Sequence, residues 1–452
     1  MVFSSVEFLL WFLPIFFILY ALFPERFRNV LLLAGSLVFY ALGEPRFLLL
    51  LVVSVLVNYL IGILLGAGDR HRGVLFFAIT GNVGILLLFK VAMRGAAIPL
   101  GVSFYTFQIL SYLIDVYQGT IPAERSLIKV ATYVTMFPQL VSGPIVNYSE
   151  VSDAMAKRRM TWQSVQSGLK LFTLGLAAKV LIADRVGLLW NDVQVRGFES
   201  ISTPLAWLGA IAFSFKIYFD FYGYSLMAMG LGAMMGFRYP ENFRNPYMAI
   251  SVRDFYRRWH ITLGRWFCNY IYIPLGGNRE GELCTARNLL IVWALTGLWH
   301  GSSGNFLIWG ILLWALIVVE RLIEGFFNRH SNGEENIWKR LHVLPHLYVL
   351  AVIPVTWMCF AITDVKELAV YLGRMFGQMP QYTVMPNDWR VALQNYGGLF
   401  VLAFAASTPL VMRLYRRWKE SAVVNVLLAL LFWICVWRIM EEGSNPFLYF
   451  KF

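Results

Sequence analysis

The stretch LTGLWHGSSGNFLIWG, Leu295 to Gly310, places His300 between two strongly apolar runs, Leu289–Trp299 and Phe306–Val319. Each run reads as membrane-embedded helix. Gly301, Ser302, Ser303 and Gly304, directly after the histidine, read as a helix stop. Broken helix at membrane depth survives only where protein buries it or a watery cavity borders it. An ionisable side chain at such a break points to a functional site. The competing reading is a histidine that merely hydrogen-bonds a carbonyl at a helix end.

The same apolar texture extends outward through Phe8–Phe23, Val30–Leu42, Phe47–Leu65, Val74–Leu88, Leu205–Phe215, Asn288–Val319, Ala351–Ile362, Leu399–Val411 and Val423–Val436. The 452-residue chain is 58% hydrophobic and 14% charged, where a soluble domain carries about 25% charged residues. Its mean hydropathy is +0.61. A span needs roughly 17–25 mostly apolar residues. The pattern predicts an all-α polytopic membrane protein with about ten to twelve transmembrane helices, plus re-entrant or interfacial ones. One domain is expected over residues 1–452, with C-terminal helices over about 345–440.

Met1–Glu7 lacks a basic n-region and no cleavage signal precedes Pro24, so Trp11–Phe23 reads as a retained span rather than a signal peptide. Arg26 and Arg28 in one loop, and Arg70 and Arg72 in Asp69–Arg72, flank a loop whose Arg46 is balanced by Glu44. By the positive-inside rule that alternation puts the N-terminus outside the cell membrane. The net charge of +12 sits in short clusters beside spans, such as Lys157–Arg159 and Arg413–Lys419. It therefore reads as anchoring to anionic lipid and not as nucleic-acid binding. Cys268, Cys284, Cys359 and Cys435 show no CxxC spacing, so neither a disulfide framework nor a zinc site is implied. The most polar connections are Asn328–Arg340 and Gln378–Arg390.

Two stretches are neither clean span nor clean loop. Lys216–Phe243 encloses Asp220 among aromatics. Arg253–Leu275, RDFYRRWHITLGRWFCNYIYIPL, carries Arg253, Arg257, Arg258, His260 and Arg265. On a helix Arg253, Arg257, Ile261 and Arg265 would form one i, i+4 stripe. An amphipathic interfacial helix accounts for such arginines. It accounts less well for His260, off the stripe beside Trp259. A basic lining would also suit a phosphate-bearing donor such as coenzyme A or a phosphopantetheine carrier, because a guanidinium presents a planar fork to phosphate.

The chemistry open to these histidines is limited. A neutral imidazole can take a proton from a hydroxyl. No acid or cysteine stands at metal-ligand spacing beside His260 or His300, so no metal is expected. The haem-attachment pattern and the G-x-S-x-G elbow are both missing. PLGGNR, Pro274–Arg279, marks a turn but lacks the closing Gly-Lys-Ser/Thr of a P-loop.

Six motifs occur in order: EFLLWFLP, PLGVSFYTFQILSYLIDVYQG, FPQLVSGPI, FRYPENFRNPY, DFYRRWHITLGRWFCNYIYIPLGGNR and LTGLWHG. Together they resemble the membrane-bound O-acyltransferase family, in particular its alginate O-acetylating branch. The likeness runs from about residue 7 to 320. It implies a helical fold around a tunnel, with His300 at the catalytic position and His260 at a second polar position. Arg253, Arg257, Arg258, Trp299, Asn242, Asp220 and Tyr224 are the binding residues it suggests. It further implies acetyl-CoA as cytoplasmic donor and no tightly bound cofactor. The expected partner is an extracytoplasmic acetyltransferase that modifies a polysaccharide. DFYGYSL, Asp220–Leu226, departs from that branch's Asp-Phe-Ser-Gly-Tyr-Ser-Asp at Tyr222 and Leu226. The related D-alanyl transferase of teichoic acid synthesis also lacks the last acid, so D-alanyl transfer is the alternative. A secondary transporter is a third reading, though no repeat of two halves is visible.

Overall fold

The structure, a computed structural model, describes residues 1–68, 71–92, 98–141, 143–330, 343–378, 384–443 and 445–447. Asp69, Arg70, most of the Asn328–Arg340 connection and residues 379–383 of the Gln378–Arg390 connection lie outside them. Among the described residues every regular element is helical. In chain order these include α1 (Leu48–Leu65), α2 (Arg72–Leu87), α3 (Trp162–Ala177) and α4 (Thr203–Met234). Next come α5 (Val252–Arg258), α6 (Ile261–Phe267), α7 (Glu282–His300), α8 (Gly304–His330), α9 (Val343–Ala361) and α10 (Ala422–Glu442).

Five described helices are long and apolar enough to cross a bilayer: Pro45–Leu65, Arg72–Val91, Gly304–Phe327, Val343–Ala361 and Ala422–Glu442. Asp388–Ser407 and Pro409–Trp418, bent by 67° at their junction, would make a sixth. Other apolar runs form shorter helices, such as Phe8–Leu22 and the 16-residue Arg28–Gly43. Asn288–Val319 is not one span. It divides at Gly301–Ser303 into α7 and α8. Leu49, Leu60, Phe76 and Phe77 stay exposed on α1 and α2, as a lipid-facing surface requires. The buried amides of Asn58 and Asn82 hydrogen-bond reciprocally at 3.2 and 2.8 Å, joining α1 to α2. Such a bond between membrane helices contributes about 0.6–2 kcal/mol.

The chain forms two compact units. One comprises Met1–Ala177, Phe221–Glu241 and Asn425–Lys451; the other comprises Ala178–Asp220 and Asn242–Val424. An aromatic cluster lies in the first unit, where Phe3 stacks on Phe8 at 4.8 Å and on Tyr224 at 4.6 Å. The second unit is built around α7 and α8, whose backbones cross closely. A Cβ on Gly297 would run into the carbonyl of Phe306. Further along the pair, the Trp314 indole donates to the Ala286 carbonyl at 2.8 Å.

Candidate active site

The helix expected over Arg253–Arg265 is broken. α5 ends at Arg258 and α6 starts at Ile261, with Trp259 and His260 between them. Nothing local, neither proline nor glycine, forces that break. It follows from pairing with a distant segment. The Arg244 amide donates to the Arg258 carbonyl at 2.9 Å, and the Ile261 amide donates to the Asn242 carbonyl at 2.9 Å. His260 is thereby held in the left-handed region, at φ 45 and ψ 52. For a non-glycine residue that costs roughly 1–2 kcal/mol, and surrounding bonds must maintain it.

Asn242, 1% exposed, supplies those bonds. Its Oδ1 accepts from the Thr262 hydroxyl at 2.9 Å and from the Thr262 amide at 3.4 Å. An atom that accepts a backbone N–H is the carbonyl oxygen of the amide, not its nitrogen. His260 Nδ1, 3.1 Å from the same Oδ1, is therefore the protonated nitrogen and donates. In the neutral ring Nε2 keeps the lone pair.

His300 is the last residue of α7 and is held differently. Its ring lies 4.8 Å from that of Trp299, 5.2 Å from Trp309 and 5.1 Å from Phe360, each edge-on. A Cβ on Gly301 would run into the Phe306 ring, so only glycine lets the chain leave α7 here. Asn305, fully buried, donates to the carbonyls of Cys359 and Phe360 at 3.1 and 3.2 Å. That bond pair docks the start of α8 on the end of α9 and sets the Phe360 ring against the histidine.

His260 and His300, far apart in sequence, line one cavity of about 460 Å³. Arg253, Arg257, Arg265 and Arg321 also face it, with Tyr256, Trp293 and Trp309 among its aromatic walls. The stripe Arg253, Arg257, Ile261 and Arg265 survives the helix break as one wall of the cavity. The arginines are not equivalent. Arg253 grips Glu324 at 2.7 Å, Arg258 grips Asp254 at 3.0 Å, and Arg321 lies 3.3 Å from Glu282. Arg257 is exposed at the cavity with no ion-pair partner among the described residues.

The other expected site residues fall in three places. Asn242 and Trp299 sit behind the histidines: Asn242 orients His260, and the Trp299 ring lies 6.2 Å from that of His260. Arg258 and Asp220 are not on the cavity wall. Asp220 is buried against Lys179 at 3.0 Å, and Lys179 also binds Asp184 at 2.5 Å. Tyr224, one helical turn beyond Asp220, belongs to the first unit and stacks on Phe3. Thr262, Trp309 and Phe360 were not singled out by sequence. Thr262 lies inside a quoted motif, whereas Phe360 carries no local signal.

A helical membrane protein with two buried histidines on one cavity has the arrangement of a membrane-embedded enzyme. The chain belongs to the membrane-bound O-acyltransferase family, whose model matches residues 123–344 and so takes in both histidines. It is 34% identical to the probable alginate O-acetylase of Pseudomonas putida over 504 aligned positions, covering 100% of each chain. The peptidoglycan O-acetyltransferase of Helicobacter pylori is 33% identical over 525 positions, covering 100% of this chain and 98% of that one. The likeness thus continues past residue 320, where the motifs fade. A teichoic acid D-alanyltransferase of Bacillus subtilis is 23% identical over 252 positions, 53% of this chain and 63% of its own. The chain is an O-acyltransferase.

Proposed function

We propose that the protein moves an acetyl group from cytoplasmic acetyl-CoA through this cavity to a hydroxyl acceptor, for O-acetylation of an extracellular polysaccharide. The observation that carries the reading is one cavity holding both histidines and an unpaired Arg257. His300 would act as general base. It takes the acceptor's hydroxyl proton as the oxygen attacks the thioester carbonyl, and returns the proton to the departing coenzyme A thiolate. His260, with its lone pair on Nε2, would orient that proton transfer. Arg257 would meet a donor phosphate, while Arg253 and Arg258 hold the local frame through Glu324 and Asp254. An extracytoplasmic acetyltransferase would finish delivery to the polymer. The protein would sit in the cell membrane with its N-terminus outside.

Acetyl is preferred over D-alanyl because the two full-length likenesses are both named for O-acetylation, while the D-alanyl transferase covers about half of the chain. The departure at Leu226 has a packing role. Its Cβ would stand 2.9 Å from a Cβ built on Gly175, at the close approach of α3 to α4 in the first unit. The test is purified protein in liposomes with radiolabelled acetyl-CoA, compared with a labelled D-alanyl thioester. Acetyl turnover is expected. Turnover of the D-alanyl donor alone, or solute flux without any turnover, would overturn the proposal.

A further inference from the structure

A second cavity, of about 360 Å³, lies in the first unit between α3 and α10. One wall is Gln166, Leu169, Lys170 and Thr173; the other is Asn425, Leu428, Ala429, Phe432 and Trp433. Each set follows helical i, i+3, i+4, i+7 spacing, so two helix faces oppose each other across a groove, the α10 face mainly apolar and the α3 face mainly polar. At its mouth Leu169 is 46% and Trp433 59% exposed, which opens the groove toward lipid.

Its polar groups are Gln166, Lys170 and Thr173 on α3 and Asn425 on α10. Lys170 is 8% exposed, and its ammonium is the one formal charge among the described lining residues. Among the described residues, Asn425 Oδ1 is buried without a hydrogen-bond donor. An ordinary amide at a lipid face would find water or backbone, so a buried acceptor facing a groove calls for a donor from outside the chain. Asn425 stands in the first turn of α10, just after the basic run Arg413–Lys419, which marks a cytoplasmic interface. From Asn425 to Trp433 the helix advances about 12 Å into the apolar layer. The groove therefore has a hydrogen-bond acceptor at the end where α10 begins and a cation on its α3 wall. Beyond Asn425 its α10 wall is formed by Leu428, Ala429, Phe432 and Trp433.

We propose that this groove holds one anionic glycerophospholipid of the phosphatidylglycerol type. Its phosphate meets Lys170, a headgroup hydroxyl donates to Asn425, and an acyl chain lies along Leu428, Phe432 and Trp433. The inference does not depend on the acyl donor or acceptor.

The test is native mass spectrometry of the detergent-solubilised full chain, titrated with phosphatidylglycerol or with phosphatidylcholine of the same chains. Wild type is expected to retain one phosphatidylglycerol in preference to phosphatidylcholine. Lys170→Gln should weaken that retention roughly fivefold, as expected for removing one basic residue from an anionic surface, and Lys170→Arg should preserve it. Ala429→Phe, which fills the groove and leaves the charge in place, should expel the lipid. Should Lys170→Gln not fold, Lys170→Arg and Ala429→Phe decide the matter between them. Equal retention of the two lipids by wild type, or undiminished retention in Ala429→Phe, would overturn the proposal.

Discussion

The two histidines share a cavity, yet opposite kinds of force hold them. His260 sits in a polar clamp, its backbone pulled left-handed and its ring fixed by the Asn242 carbonyl oxygen, which Thr262 in turn secures. His300 sits in an aromatic box at a helix end, with Trp299, Trp309 and Phe360 around it. Directional hydrogen bonds fix a tautomer and an orientation. Edge-on rings fix a position by packing.

The hardest test of that contrast is His300→Ala. Acyl transfer should fall by about 10²–10⁴-fold, the usual range for loss of a general base. Membrane insertion and thermal stability in detergent should stay near wild type. Full turnover by a well-folded His300→Ala protein would remove the base from this side of the cavity.

The His260 side should respond to its clamp as well as to its ring. Asn242→Ala leaves buried donors unsatisfied and should cost roughly 1–3 kcal/mol of stability, with turnover lowered. His260→Gly should be more stable than His260→Ala by roughly 1 kcal/mol, because only the alanine pays for φ 45. Both substitutions should impair turnover alike. The double variant His260→Ala/His300→Ala should be scarcely slower than His300→Ala alone if the two rings act as one unit. Multiplying losses would separate them.

Arg257→Ala is expected to raise the apparent KM for acetyl-CoA about tenfold, the value of one charge-assisted hydrogen bond, with kcat little changed. Arg258→Ala, off the cavity wall, should leave KM alone. Equal effects at both positions would return the arginines to an interfacial anchoring role.

The smallest effect is expected from sulfur. Cys268 lines the cavity, whereas Cys359 and Cys435 are buried. A variant with all four cysteines changed to serine should keep its transfer rate. A thioester-linked label trapped on wild-type Cys268, with activity lost in a correctly inserted variant, would move the nucleophile there.

The His300 side was legible in the sequence because its cause is local: two apolar runs and a Gly-Ser-Ser-Gly stop lie within one short stretch. The break at His260 was not legible. It arises from hydrogen bonds to residues 242–244, and a one-dimensional pattern reads such a segment as a continuous helix. The arginine stripe still falls on one wall of the cavity, since two short helices in near succession preserve the facing side. Asp220 and Tyr224, one turn apart on α4, lie in different surroundings: one joins a buried ion cluster and the other a stack of aromatic rings. The full count of spans was equally hard to read, because apolar content says how much chain avoids water but not how it is cut into helices.

α8 touches both sides of the site. At its start, five residues after His300, Asn305 docks on the end of α9. Farther along, Glu320 accepts the first two amides of α5 at 2.6 and 3.2 Å, and Glu324 grips Arg253. Seventeen residues of helix from Gly304 to Glu320 make a rod of about 24 Å. One end of that rod sits beside the aromatic box, and the other end holds the helix that leads into the clamp. The same rod thus braces, at its two ends, the elements that present His300 and His260.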